Sequence, residues 1–349
     1  MTIQRCVSIL FFFFLFGCSQ KTPTKVYFHE LKVDSSENNL INPDIVNSVI
    51  NPGCVEINSK YYLYYLNKNY FLQFINPEDL ADTFSLKLPN QKNVYRDNLI
   101  FINSSSINLL DVNNFLLIRL DYSTDGIKKN SKQIDLNPIF DNKKILLYPN
   151  HLSPFYIDNN YVYIPFFKKQ HFNNFPLRHV FKKILLTDNN ISEEIFTLPD
   201  EIISKKRFNR TSQILPISQN IVGCFFSESD RVEFFDKRKE KIILSKNFTP
   251  FSNFEDFDNS RNDDLSYVRF YSINNERNFY FGFENKIFVL KKMRSSAVEK
   301  NYEYYILDSS LTLLHFGKIT NTIRPILIPS SNGFSLISED YKKVFSYHY

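Results

Sequence analysis

The chain has 349 residues, a formal charge of +5, 36 Phe and 21 Tyr, but only 7 Gly and no Trp. A net charge that small on a chain this long does not create the strong positive field that nucleic acid requires, so nucleic acid is excluded as the expected partner. So few glycines leave little for a phosphate-cradling loop, and neither a P-loop nor a G-x-G-x-x-G run occurs. There is also no G-x-S-x-G elbow to carry a nucleophile and no H-E-x-x-H pair to hold zinc. Phe, Tyr, Asn, Lys and Ile share A/T-rich codons, so the aromatic abundance is not read as a binding surface. It does suit half-buried pleated strands.

In chain order, Arg5 precedes an apolar run from Cys6 to Gly17, the charged and hydrophobic segments of a secretory signal. The run is shorter than the ~20 residues that a bilayer-spanning helix needs. It ends in Leu15-Phe16-Gly17-Cys18, which resembles the lipobox of bacterial lipoproteins, with Leu at −3 and Gly at −1. That resemblance implies that residues 1–17 are a signal peptide and that Cys18 becomes a lipidated N-terminus. Two or three acyl chains, palmitate among them, hold a protein on a membrane where one does so only marginally. Residues 18–25 then form a polar tether containing Pro23. No acidic run follows Cys18, so nothing signals display on the outer surface.

From Val26 to Tyr349 the pattern is all-β: short alternating strands punctuated by Asn, Asp, Ser and Pro. One unit recurs, a strand, a tight turn with Asn, and a second strand, at spacings of roughly 55 residues. It is centred on Asn58, Asn113, Asn159, Asn220, Asn275 and Asn332. A second turn follows at Asn76-Pro77-Glu78-Asp79, Asp188-Asn189-Asn190, Asp236-Lys237-Arg238-Lys239 and Asp308-Ser309-Ser310. These residues favour turns because Pro fixes φ and Asx side chains bond back to the main chain. Four strands per unit, A to D, and six units predict a six-bladed β-propeller of antiparallel blades. The alternatives are seven blades or a β-sandwich. The last unit lacks a D strand, and Val26–Val33 is predicted to supply it and close the ring.

A lipobox ahead of six degenerate blades with Asn-Pro-Glu or Asp-Ser-Ser turns resembles the six-bladed propeller lipoproteins of Gram-negative bacteria, many of them known as domains of unknown function. The resemblance implies fold and place, the outer membrane facing the periplasm, and no activity.

Strand parity sorts the loops. The A–B and C–D turns share one face of the disc and are short, while the long B–C and D–A connections share the other. Loops on a rigid scaffold collect binding residues, so the second face is the predicted working face. Arg178 and His179 stand there beside Lys168 and Lys169, and Lys205, Arg207 and Arg210 beside Lys206, groups able to take carboxylate or phosphate. Asp256, Asp258, Asp263 and Asp264 on the Lys246–Leu265 connection are candidate Ca²⁺ ligands, although the Gly and closing Glu of an EF-hand are missing. No other cofactor is expected. Glu56 and Asp111, in or beside predicted inner strands, are the candidate channel carboxylates.

Cys54 and Cys224 fall in blades one and four, across the ring, so two buried thiols are expected rather than a disulfide. Three functions are open: a protein- or peptide-binding scaffold of the envelope, a metal-dependent hydrolase of the lactonase kind with its site in the central channel, and a glycan binder, which the lack of Trp weakens. With no catalytic motif in sequence, the first is favoured.

Overall fold

The computed structural model describes residues 32–37, 50–67, 69–88, 99–140, 145–147, 154–158, 160–168, 180–187, 191–197, 212–226, 231–247, 277–283, 285–292, 302–319, 323–330 and 332–348. Strand β1 (Lys32–Glu37) precedes all the blades. Blade one is β2 (Ile50–Ile57), β3 (Lys60–Leu66), β4 (Phe71–Ile75) and β5 (Thr83–Lys87). Blade two is β6 (Leu99–Ile102), β7 (Ser106–Asp111), β8 (Leu116–Ser123) and β9 (Gly126–Asp135). In blade three the inner position is shared by β10 (Ile145–Leu147) and β11 (Tyr156–Ile157), both paired with β12 (Tyr161–Lys168), then β13 (Val180–Leu185) and β14 (Ser192–Thr197). Blade four is β15 (Ser212–Ser218), β16 (Ile221–Phe226), β17 (Arg231–Asp236) and β18 (Lys241–Asn247). Blade five is β19 (Arg277–Phe283), β20 (Lys286–Lys292), β21 (Tyr302–Asp308) and β22 (Leu313–Ile319). Blade six is β23 (Ile323–Ser330), β24 (Gly333–Ser338) and β25 (Lys343–His348), completed by β1.

All pairings are antiparallel, and the chain forms a six-bladed β-propeller. The ring closes without a covalent link: β1 runs beside β25 from Lys32↔His348 to Glu37↔Lys343. Of the predicted Val26–Val33, the closing strand includes Lys32 and Val33 and continues to Glu37, while residues 26–31 lie outside the described residues.

The repeat frame needs correction in two units. The turn at Asn113 joins β7 to β8, so it is a B–C turn, and the A–B turn of blade two is Asn103–Ser105. The predicted second strand after Asn275 is β19, the innermost strand of blade five. The first slip has a local cause: an Asx residue turns the chain by the same hydrogen bonds at either end of a blade. Asp111 Oδ1 accepts the N–H groups of Asn113 and Asn114, each at 3.0 Å. Asp158 does the same for Asn160 at 2.9 Å and Tyr161 at 2.7 Å in an A–B turn.

The core lies between blades, not within them. Every adjacent pair of blades shares an apolar cluster, including blades six and one, where Leu63 and Tyr65 meet Ile326, Ile328 and Ile337. Middle strands therefore face apolar neighbours on both sides and lose the two-residue alternation, as in β7 and β20. Outer strands such as β5 keep it. Aromatic rings bridge the seams: Phe74 to Tyr122 at 5.9 Å, Phe225 to Tyr280 at 4.9 Å, Phe288 to Phe334 at 4.6 Å. Two scarce glycines lie under cross-strand tyrosines. A Cβ at Gly53 would meet the Tyr64 ring, and one at Gly317 the Tyr304 ring.

Turn carboxylates make stability depend on acid. Burial raises the Asp308 carboxyl, but hydrogen bonds from Ser310 and Thr312 outweigh that and hold it below its ordinary 3.8. A carboxyl lowered by folding stabilises above its unfolded value, and that contribution is lost as pH falls through the folded value. Asp340 shifts the same way through its bond from Ser338, and Asp82 through bonds from Lys60 and Asn76. The melting temperature is therefore expected to fall below about pH 4. Asp308 Oδ1, which asparagine retains, accepts the main-chain N–H groups of Ser310 and Thr312 and the Ser310 hydroxyl. Asp308→Asn isolates the charge, and differential scanning fluorimetry from neutral pH downward should show a shallower acid limb than the parent.

Candidate functional site: a polar cleft on the short-turn face

By strand parity the A–B and C–D turns lie on one face of the disc. On that face a cleft of about 610 Å³ opens across blades two, three and four. This lies within the roughly 300–1,000 Å³ usual for ligand sites. Blade two contributes Asn103, Ser104 and Ser105, with Arg119 from β8. Blade three contributes Tyr156, Ile157, Asp158, Asn160 and Tyr161. Blade four contributes Pro216, Ser218, Gln219 and Asn220, then Lys237 and Arg238 from its C–D turn.

Local chemistry fixes these walls. Asn103 Oδ1 accepts the N–H of Ser105 at 3.1 Å and of Ser106 at 2.8 Å. Asp158 spends Oδ1 on its own turn, while Oδ2 accepts the Lys237 ammonium at 2.9 Å across the blade boundary. The Tyr163 hydroxyl also donates to that oxygen, at 3.3 Å. Asp158 is thus committed as an acceptor and Lys237 is neutralised. Desolvation by burial pushes the Tyr156 and Tyr163 phenols well above their usual range, so both stay protonated donors.

Beneath the cleft, Lys183 pins blades three and four together. It is 4% exposed, 4.7 Å from the Tyr161 ring and 4.9 Å from the Phe235 ring. Its ammonium lies 2.7 Å from Glu193 Oε1 but off the hydrogen-bonding direction, so the pair is Coulombic, with Glu240 Oε1 of blade four at 3.9 Å and the two aromatic faces as its further partners.

Other groups are uncommitted. Arg119 donates only Nε, to Asp121 Oδ1 at 3.4 Å. The side chains of Asn160, Gln219, Asn220 and Arg238 engage no other described residue. Asn108 pairs with Arg119 in the β7–β8 ladder and is 1% exposed; its Oδ1 has no partner among the described residues. Three cations and one carboxylate line the cleft.

No protein-family model matches the chain, and no curated protein does. Among solved structures it is similar to a member of the DUF4221 family from Bacteroides vulgatus, at 12% identity and a TM-score of 0.62, covering 92% of this chain and 98% of that one. The likeness is one of fold. It spans nearly all of both chains, so the shared feature is the complete ring. The chain is also similar to BamB from Moraxella catarrhalis, at 8% identity, TM-score 0.40, covering 85% and 84%. A luciferin-regenerating enzyme gives 8% identity, TM-score 0.49 and coverage of 91% and 96%.

The residues singled out in sequence are distributed differently from the cleft. Glu56 is exposed on β2, next to the A–B turn. Asp111 is buried and closes the B–C turn of blade two, on the opposite face, where Asn114 Nδ2 also donates to it at 2.7 Å. The structure does not bring the two together. Cys18, Arg178, His179, Lys205, Arg207, Arg210, Asp256, Asp258, Asp263 and Asp264 lie outside the described residues. Their connections do join the strands that parity required, β12 to β13, β14 to β15 and β18 to β19, although Lys246 belongs to β18 itself. Cys54 and Cys224 are unbridged, in blades one and four; burial pushes the Cys54 thiol up to about 12 and the Cys224 thiol well up. Neither is a nucleophile at neutral pH.

The cleft residues stood in the sequence as turn punctuation: Asn-Ser-Ser, Asp-Asn-Asn, Gln-Asn and Asp-Lys-Arg-Lys. No signal in the sequence set them apart from the other turns, because the pairing that leaves Arg238 available is made across a blade boundary, from Lys237 to Asp158.

Proposed function

We propose that this chain is a lipid-tethered binding module of the cell envelope, held at Cys18 and presenting its propeller to a protein or peptide partner. The observation that carries the binding reading is the cleft itself: three blades contribute polar groups that no other described residue engages. Its walls are set by Asx turns, so few rotors need ordering when a partner binds. Its one carboxylate is already paired, which suits recognition better than proton transfer. The tether rests on Leu15-Phe16-Gly17-Cys18 and the polar residues that follow.

The test uses the full chain in expressing cells. A photo-crosslinking amino acid at Gln219 should give a discrete envelope-protein adduct, and one at Asn114 on the opposite face should not. No adduct at Gln219, or equal adducts at both, overturns the cleft as the binding surface. Cys18→Ala should abolish incorporation of labelled fatty acid, and retained label overturns the tether.

A further inference from the structure

We infer that the cleft takes an acidic peptide segment, its carboxylates on Arg119 and Arg238 and its main chain against the amides of Asn160, Gln219 and Asn220. This rests on the binding reading above and adds the ligand's chemistry.

The charge comes first. Asp158 cancels Lys237 at 2.9 Å, which leaves two arginines as the net cations of the cleft. A guanidinium has five N–H donors and no acceptor, in a fork that matches a carboxylate. Arg119 spends one nitrogen on a contact that is long for a charge-assisted bond, with its side chain 32% exposed. The Arg238 side chain spends none on a described residue. The nearby carboxylates do not occupy these forks. Asp236 accepts the main-chain N–H groups of Arg238 and Lys239, and Asp121 meets Arg119 through Nε only.

The amides choose the ligand class. Each side-chain amide carries a donor and an acceptor, as a peptide bond does. A phosphate group is chiefly an acceptor, with at most one or two O–H donors on one compact centre, and would leave most of the spread carbonyls of Asn160, Gln219 and Asn220 idle. The arginines and amides come from different blades, Arg119 from blade two, Asn160 from blade three, and Gln219, Asn220 and Arg238 from blade four. A chain that reaches all of them must be extended across two blade boundaries, as a peptide segment can be.

Fluorescence anisotropy on the full-length protein in detergent, titrated with a set of labelled Asp/Glu-rich octapeptides and their Asn/Gln counterparts, tests this. Acidic peptides should bind at least about tenfold more tightly and lose affinity with salt. Arg119→Gln and Arg238→Gln should each weaken them by about tenfold or more, since a bond to a charged group is lost. Lys318→Gln, exposed on β22, should change nothing. Unaltered melting curves separate lost binding from lost folding. Equal affinity for acidic and neutral peptides, or binding indifferent to both arginines, overturns the inference and leaves peptide binding standing. Displacement of the peptides by millimolar inorganic phosphate, through the same arginines, overturns the ligand class. If no acidic peptide binds while the Gln219 adduct persists, the inference fails alone; if the adduct is also absent, both readings fail.

Discussion

Phe334→Ala is expected to lower the free energy of unfolding by about 3–5 kcal/mol, the range for deleting a buried aromatic from a core. Phe334 is fully buried on β24, where blade six meets blade five. Its ring stacks on Tyr347 at 4.8 Å and 9°, meets Tyr304 edge-on at 5.4 Å and lies 4.6 Å from Phe288. Those neighbours sit on strands paired on both sides, so they have little freedom to collapse into the vacated volume. Urea denaturation should show the loss as a lower midpoint at unchanged slope. Phe334→Leu should cost much less, because it keeps most of the volume. A midpoint in Phe334→Ala within error of the parent would mean that the seam is not close-packed.

Removing Lys32–Glu37 is expected to open the ring. The strand is bound to β25 through its backbone along the whole of β1. Its described side chains, Asp34 and Ser35, are exposed, and Asp34 Oδ2 lies 3.4 Å from His348 Nε2 on β25. At about 0.5–1.5 kcal/mol net for each hydrogen bond, deletion should cost about 3 kcal/mol. It also bares the outer edge of β25, and an unpaired edge templates association. A lower melting temperature should therefore come with concentration-dependent oligomers in light scattering. Ser35→Ala should be nearly neutral, and Asp34→Ala should cost no more than an exposed ion pair is worth, about 1 kcal/mol or less, since the main chain does most of the pairing. A monomeric deletion variant with the parent's melting temperature would show that blade six is complete without β1.

Both predictions concern features that the sequence exposed to different degrees. Blade number, antiparallel order and closure by an N-terminal strand were legible because a propeller repeats a local unit, and the unit's marks are turn residues and alternating apolar strands. The frame slipped at Asn113 because Asx turns are local and identical in chemistry at both faces of a disc. The four-residue strand β6 is too short to show a period of its own.

The cleft was not legible. Asp158, Gln219 and Arg238 each read as part of a tight turn, Asn103 was passed over because the turn of its unit was placed at Asn113, and loop length drew attention to the opposite face, whose candidate loop residues lie outside the described structure. By itself the sequence determined the strands and the six-fold repetition, since these follow from hydrogen bonds and apolar spacing a few residues apart, and it pointed to closure only through a blade one strand short, which β1 completes from the far end of the chain. Which turns stand side by side, and that Asp158 cancels Lys237 while two arginines stay available, was decided only by the ring, because it brings residues from three blades within contact distance.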